Sequence, residues 1–186
     1  FISKALEKGA NFIVSSKSFK RNKNKLIKVK NSLKFLNDLA KQKRRNSKAN
    51  ILSITGSAGK TTLKNMLKIL LQKFGDTYSS PRSFNNHFGV PISLSNLNQN
   101  HKYGIFEIGM SKAGEINNLS KMVKPNLAVI TNVGEAHIEN FKNLNGVAKA
   151  KGEIIDNVSK GGTVILNRDN KFFNYFKIKA KNNNLN

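Results

Sequence analysis

The sequence contains no cysteine and no tryptophan, only 3 proline residues, and only 10 acidic side chains in 186 residues. The absence of cysteine excludes a disulfide scaffold, a thiolate metal site and a thiol nucleophile. No apolar run approaches the roughly 20 residues that a membrane-spanning helix needs, so we expect no membrane span. A cysteine-free chain fits a reducing compartment, and we expect a cytoplasmic protein. The chain begins at Phe1 without a basic-then-apolar leader, so we expect a fragment of a longer protein that has no signal peptide.

The scarcity of acidic residues leaves 33 Lys and Arg side chains mostly unbalanced, with a formal net charge of +23. Such a charge would ordinarily suggest a nucleic-acid partner. However, 28 of the basic residues are Lys and 5 are Arg, whereas proteins that read nucleic acid favour the bidentate contacts of Arg. Residues 1–50 contain 15 basic and 2 acidic side chains, and residues 171–186 contain 4 basic and no acidic ones. We therefore interpret most of the charge as a solvated, Lys-rich surface and expect no nucleic-acid partner.

Helical and extended patterns alternate along the chain, and the first fifty residues are expected to form a small α/β segment. There the pattern predicts helices over 3–8 and 31–45, strands over 11–15 and 25–29, and a polar linker over 44–50. Further along, the predicted strands are 51–55, 77–79, 103–108, 127–131 and 163–166, and the predicted helices are 60–73, 113–122 and 144–158. This order predicts an α/β domain with a mostly parallel sheet and helices on both faces. The Lys- and Asn-rich segment 177–186 is expected to be a frayed or truncated tail.

A glycine-rich segment, Gly56-Ser57-Ala58-Gly59-Lys60-Thr61-Thr62, lies between a predicted strand and a predicted helix. Glycines at such a turn let successive N–H groups point at phosphate oxygens, and the helix N-terminus favours an anion. The lysine can reach the β- and γ-phosphates of a nucleotide, and a following hydroxyl can bind Mg²⁺. The segment is shorter than the common phosphate loop, which would have glycine at the position of Ile54. A glycine-rich turn with an incidental lysine is the alternative, but it leaves the coincidence of strand, loop, lysine, hydroxyls and helix unexplained.

This loop and the motifs that follow it resemble the Mur ligases, the ATP-dependent peptide ligases of bacterial cell-wall synthesis. The matching segments are 55–62, 85–91, 107–110, 114–116, 131–132, 136–139, 150–154 and 167–169. Within the family, the set is most similar to the member that adds D-alanyl-D-alanine to UDP-N-acetylmuramoyl-tripeptide. The resemblance implies that residues 1–46 are the end of a UDP-binding N-terminal domain plus linker, that residues 47–186 are a truncated ATP-binding central domain, and that the C-terminal ligase domain is absent.

The resemblance also implies roles for individual residues. ATP would be bound by the loop residues Gly56 to Thr62 and by Asn167 and Asp169, and the muramoyl-peptide substrate by Ser83, Asn85 and Asn86. Two Mg²⁺ ions would be held by Thr61, Glu107, His137 and Lys151. Lys151 matches the family lysine that reacts with CO₂ to form a carbamate. Lys60, His137 and Lys151 would be the catalytic residues.

Residue types and spacing support some of these roles and leave others open. Glu107 ends an apolar run, so we expect it at the carboxyl edge of the sheet, where a carboxylate can hold Mg²⁺ against phosphates. A surface glutamate is the alternative. His137 stands alone, and a lone histidine is more often a packing or capping residue. Lys149 and Lys151 are two positions apart on a predicted helix, so only one of them can face the site.

We expect an ATP-dependent ligase that makes an amide bond through an acyl phosphate, acts on small-molecule substrates and is a monomer. We also expect that the fragment cannot complete the reaction alone. A nearby alternative is another Mur-type ligase, one that adds the third peptide residue or a cyanophycin-type synthetase. From other classes come a basic nucleic-acid-binding module and a generic P-loop NTPase, whose Walker B strand would end in Asp rather than Glu.

Overall fold

The computed structural model describes residues 1–18, 23–136 and 138–186, and alternating strands and helices occupy most of this part. The strands are β1 (Ile13–Ser15), β2 (Leu26–Lys28), β3 (Asn50–Thr55), β4 (Thr77–Ser79), β5 (Tyr103–Glu107), β6 (Leu127–Ile130) and β7 (Thr163–Leu166). The α-helices are α1 (Ile2–Glu7), α2 (Ser32–Asn46), α3 (Lys60–Leu71), α4 (Gly89–Ser95), α5 (Glu115–Val123), α6 (Leu144–Gly152) and α7 (Phe173–Asn182). Within these described ranges, no helix is long and apolar enough to cross a bilayer.

The main sheet runs in the order β4-β5-β3-β6-β7, and every neighbouring pair of strands is parallel. β1 and β2 form a separate parallel pair. The central strand, β3, pairs Ile54 with Glu107 of β5 and Thr55 with Ile130 of β6. The carboxyl ends of β5 and β6 therefore flank the loop that follows β3. The expected α/β architecture with a parallel sheet is confirmed.

Side chains that alternate along β3 divide the core between the two faces of the sheet. Leu52 and Ile54 belong to a cluster with Leu63, Leu67 and Leu71 of α3. Ile51 instead belongs to the larger cluster on the opposite face, which includes apolar residues of α2, α4, α5, α6 and α7. Helices thus cover both faces, as the alternation of elements predicted.

The register of β5 decides which face its last side chain takes. Ile105 lies in the α3-side cluster, whereas Phe106 lies in the larger cluster. Because strand side chains alternate with a period of two, Glu107 shares the face of Ile105. Its carboxylate is therefore directed towards α3, next to the loop after β3.

Two helical segments differ from the sequence expectation. α4 was not predicted; its Pro91 lies in the first turn, where the missing N–H removes no helical hydrogen bond. The predicted helix 144–158 ends at Gly152 and continues as a short 3₁₀ turn at Ile155–Asn157. Glu153, just after α6, accepts hydrogen bonds from the N–H groups of Gly114 and Asn117 at distances of 2.7 and 2.9 Å, and it thereby caps α5.

The expected linker and the expected tail are both more ordered than the sequence suggests. α2 extends to Asn46 and β3 begins at Asn50, which leaves only 47–49 between them. The expectation of a frayed tail is wrong, because α7 reaches Asn182 and buries Phe176 and Ala180 one turn apart. Beyond it, the N–H of Val164 in β7 donates to the carbonyl of Asn186 at 2.8 Å. Lys177 and Lys179 lie between Phe176 and Ala180, and the Lys- and Asn-rich composition around them obscured this apolar pair.

The buried stripe of α7 predicts a large stability effect for one substitution. Phe176→Ala should lower the free energy of unfolding by about 3–5 kcal/mol, because it leaves a cavity where a nearly fully buried ring packs. Ile178→Ala, at a position 60% exposed on the same helix, should change it by less than about 0.5 kcal/mol. Urea titrations followed by far-UV circular dichroism measure both values. Equal effects of the two substitutions would contradict the packing of α7.

Candidate active site

The glycine-rich loop joins β3 to α3 and takes a conformation that only glycine allows at its first position. Gly56 has φ of +149°, and a Cβ added there would lie 1.8 Å from Oγ1 of Thr131. Gly59 has φ of +80° and directly precedes Lys60, the first residue of α3. Because glycine has no side chain to cap the helix, the first-turn N–H groups of α3 stay available for an anion.

The segment after β6 holds the loop in place. Oγ1 of Thr131 donates to the carbonyl of Ala58 at 2.6 Å, and Oδ1 of Asn132 accepts from the N–H of Ala58 at 2.9 Å. Oγ of Ser57 donates to the carbonyl of Gly134 at 3.0 Å and accepts from its N–H at 2.8 Å. The side chain of Ser57 and the amide of Ala58 thus help to build the loop.

Lys60 folds back over the loop. Its Nζ donates to the carbonyl of Gly56 at 2.8 Å. Burial lowers the pKa of Lys60, and the nearby charge of Glu107 opposes this shift. A phosphate oxygen could replace the Gly56 carbonyl as the acceptor and would offer a full negative charge in its place.

Glu107 is a buried carboxylate with donors on both oxygens, and its residue is only 1% exposed. Oε2 accepts from the hydroxyl of Thr61 at 2.7 Å, and Oε1 accepts from Nδ2 of Asn85 at 2.8 Å. Nζ of Lys64 lies 3.8 Å from Oε2. A buried charge needs such partners, and this one side chain binds both α3, through Thr61 and Lys64, and the loop that contains Asn85.

Lys151 is the buried lysine of α6, whereas Lys149 is exposed. Burial and, secondarily, the positive charge of Lys60 lower the pKa of Lys151 to about 8. At pH 7, about a tenth of such an amine is uncharged, far more than for an ordinary lysine. The helix spacing therefore directs Lys151 to the site, in a state suited to nucleophilic chemistry.

A cavity of about 210 Å³ joins these elements in front of the phosphate loop. Its lining residues are Gly56, Ser57, Lys60, Asn85, Asn86, Gly109, Met110, Ser111 and Lys151. The cavity is smaller than a typical pocket for a whole nucleotide. Its two lysines and its loop amides suit the phosphate end of one.

Other predicted site residues lie outside this cavity lining. Thr62 and Ser83 are exposed. Asn167 and Asp169 are exposed in a turn after β7, where Oδ1 of Asn167 accepts from the N–H of Asp169 at 3.0 Å. They share the carboxyl edge of the sheet with the loop, two strands away from β3. His137 lies outside the described residues.

Asn86 lines the cavity but also has a structural function. Its Oδ1 accepts from the N–H groups of Phe88 and Gly89 at 3.1 and 2.8 Å, at the start of α4. This oxygen is therefore engaged in capping, and only the Nδ2 of Asn86 is left to face a ligand.

The expected Mg²⁺ ligands can be compared with the donors at the site. Over 1–18, 23–136 and 138–186, no group of three His, Cys, Asp or Glu side chains is placed to hold a metal ion. The hydroxyl of Thr61 and the carboxylate of Glu107 do lie together beside the phosphate loop. These are hard oxygen donors, and Mg²⁺ usually takes only one or two protein ligands plus phosphates and water. The pair fits such an ion.

Sequence reasoning assigned no function to Lys64 or Thr131, although both support the site. Lys64 has a sequence signal, because it lies one helical turn after Lys60. Thr131 has a weaker one, as a polar residue at the end of an apolar strand. Their contacts span long stretches of sequence, so only the fold brings them to the loop.

The fold and this site define an α/β domain with a phosphate-binding loop. The chain belongs to the Mur ligase family, since residues 54–186 match the Mur ligase middle domain. A relative from Rickettsia prowazekii, named UDP-N-acetylmuramoyl-tripeptide--D-alanyl-D-alanine ligase, is 44% identical over 175 residues. The match covers 94% of this chain and 39% of that relative.

Solved structures agree with the sequence match. MurF from Acinetobacter baumannii superposes with a TM-score of 0.86 and 29% identity, over 97% of this chain and 40% of that one. MurF from Thermotoga maritima, in complex with ADP, gives a TM-score of 0.83 at 29% identity, over 100% of this chain and 42% of that one. The chain thus spans about two fifths of the length of these relatives.

The low pKa of Lys151 predicts its titration. In a protein labelled with ¹³C at lysine Cε, the Lys151 resonance should titrate near pH 8. Unfolding then takes up a proton between about pH 8 and 10.5, so the contribution of Lys151 to stability rises with pH across that window. Lys151→Met should remove this rise. A Lys151 resonance that shows no titration near pH 8 would disprove the burial argument.

Proposed function

We propose that this chain acts in an ATP-dependent ligase that adds D-alanyl-D-alanine to UDP-N-acetylmuramoyl-tripeptide during peptidoglycan precursor synthesis. The observation that carries the proposal is the convergence of Lys60 and the buried Lys151 on one cavity beside the phosphate loop. The names of the curated relative and of the solved structures support the choice of substrates. Other Mur-type ligases remain the nearby alternative, and none of the relatives described above has such a name.

In the first step, a carboxylate oxygen of the tripeptide attacks the γ-phosphorus of ATP. An O–P bond forms, the bond between this phosphorus and the β–γ bridging oxygen breaks, and ADP leaves. Negative charge builds on the transferring oxygens, so positioning and charge stabilisation supply most of the catalysis. Lys60 and the first-turn amides of α3 hold the phosphates in this account.

In the second step, the amine of D-alanyl-D-alanine attacks the carbonyl carbon of the acyl phosphate. A C–N bond forms, inorganic phosphate leaves, and the nitrogen loses a proton. We assign no base to that proton. The alanyl dipeptide would bind largely outside this chain.

Thr61, Glu107, His137 and a carbamate on Lys151 would hold Mg²⁺, which supplies neutralisation of phosphate charge when bound. The carbamate forms when the neutral Lys151 amine attacks CO₂, which makes an N–C bond and releases a proton. The lowered pKa of Lys151 supports this reaction, because only the uncharged amine is a nucleophile. The product is an anion and removes the repulsion between Lys60 and Lys151.

The remaining assignments follow from the same proposal. Asn167 and Asp169 would contact the adenosine part of ATP, and Ser83, Asn85 and Asn86 would approach the muramoyl peptide. Use of ATP and a UDP-linked precursor implies a cytoplasmic enzyme, and we propose that it is monomeric. The division into residues 1–46 and 47–186 also stays a prediction.

A basic groove of about 690 Å³ between α2 and α5 supports the alternative of a polyanion-binding module. Its cationic side chains are Lys41, Arg44, Arg45, Lys121 and Lys124. Arg44, however, already donates to the carbonyls of Val123 and Lys124 at 2.6 and 2.8 Å. This alternative also gives no reason for the buried Glu107 or Lys151, so we favour the ligase.

Substitution of the loop lysine tests the phosphate-binding step. In the full-length enzyme, Lys60→Ala should reduce substrate-dependent phosphate release from ATP by about 10²–10³-fold, because it removes a cation from the transferring phosphate. Lys68→Ala, two turns along the same helix, is the matched control and should retain activity. An unchanged rate in Lys60→Ala would rule out the assigned role.

Chemical rescue tests the carbamate on Lys151. Lys151→Ala should be nearly inactive, and short carboxylic acids added in the millimolar range should restore part of the rate by replacing the lost anion. Lys149→Ala should be active and insensitive to the acids, since its side chain is exposed. Full activity of Lys151→Ala when CO₂ is depleted would exclude the carbamate.

A further inference from the structure

Lys64 is a buried lysine that the mechanism above does not use. It lies on α3 one turn after Lys60, and its residue is only 1% exposed. Lysine is almost never fully buried unless its charge is paired, so its contacts need an explanation. It is absent from the lining of the 210 Å³ cavity, which places it behind the site rather than in it.

The Lys64 ammonium binds a main-chain carbonyl. Its Nζ donates to the carbonyl oxygen of Arg82 and lies 3.8 Å from Oε2 of Glu107. Arg82 has φ of +45°, a left-handed conformation that is unfavourable for a non-glycine residue. The hydrogen bond from Lys64 thus stabilises a turn whose backbone conformation is unfavourable for an arginine at position 82.

This turn belongs to the loop over residues 80–86, which contains Ser83, Asn85 and Asn86. Backbone hydrogen bonds hold both ends of the loop. At the first end, the N–H of Ser80 donates to the carbonyl of Ile105 in β5 at 2.9 Å. At the other end, the carbonyl of Asn85 accepts from the N–H of Gly109, just after β5, at 2.9 Å. Asn85 also donates to Oε1 of Glu107. Lys64 supplies the contact in the middle, between these two ends.

We propose that Lys64 is a positioning residue that holds the 80–86 loop in register with the phosphate loop. The substrate that this loop positions rests on the function proposed above, namely the UDP-linked muramoyl peptide. Through Glu107, the same ammonium also connects the loop to Thr61 of the phosphate-binding helix. Loss of Lys64 should therefore weaken the use of the peptide substrate far more than the binding of the nucleotide.

Amide hydrogen exchange tests the contact itself, without substrates. In the full-length protein, Lys64→Met should accelerate exchange across residues 80–86 by about 10-fold or more, since a hydrogen bond from a charged donor is lost. Lys68→Met removes the same charge one turn further along α3 and should leave that exchange within about 2-fold of the wild type. Unchanged exchange in a folded Lys64→Met protein would overturn the proposal.

Steady-state kinetics test the functional consequence. For Lys64→Met we expect KM for UDP-N-acetylmuramoyl-tripeptide to rise about 10-fold or more, with KM for ATP and the Kd of ADP within about 3-fold of the wild type. A parallel loss in both substrates would indicate a general structural defect and overturn the positioning role. If the wild-type enzyme itself shows no turnover with these substrates, the proposed function fails, and hydrogen exchange still decides the contact of Lys64.

A second variant covers the case in which Lys64→Met does not fold. Lys64→Gln keeps a donor for the Arg82 carbonyl but removes the charge. We expect the same selective rise in the KM for the peptide substrate and in the exchange of residues 80–86, reduced to about 3-fold. Wild-type values for both quantities in Lys64→Gln would mean that the charge is not needed, which contradicts the proposal.

Discussion

The buried carboxylate of Glu107 is the interaction on which the site depends. A charge at this depth requires hydrogen bonds, and removing one partner of a buried charge costs about 3–5 kcal/mol. Its partners come from the phosphate-binding helix, through Thr61 and Lys64, and from the 80–86 loop, through Asn85. The contacts of one carboxylate thus fix the position of α3 relative to the 80–86 loop.

The charges that line the cavity are less well compensated than the charge of Glu107 behind it. Lys60 and Lys151 both line the cavity, and the charge of Lys60 contributes to the lowered pKa of Lys151. Such unfavourable charge placement is common at functional sites, where a ligand later provides the compensation. The proximity of these two cations costs the fold some electrostatic stability.

The sequence predicted most strands and helices along the chain, the glycine-rich loop between a strand and a helix, and the position of Glu107 at a strand end, because these depend on local patterns. It did not predict α4 or the packing of α7, where Pro91 and a Lys- and Asn-rich composition obscured the helical signal. Lys64 and Thr131 were missed for a different reason. Their partners, Arg82 and Ala58, are distant in sequence, and only the parallel sheet and the packing of α3 bring them together.

The alternation of side chains along β5 limits how this strand can change. Inserting or deleting one residue before Glu107 would turn its carboxylate to the opposite face of the sheet, where Phe106 and α4 contribute apolar side chains, and away from Thr61. Inserting two would restore the face but move the carboxylate by about 6.6 Å along the strand. The apolar residues of β5 can therefore be exchanged for others of similar size, whereas the number of residues in the strand cannot vary.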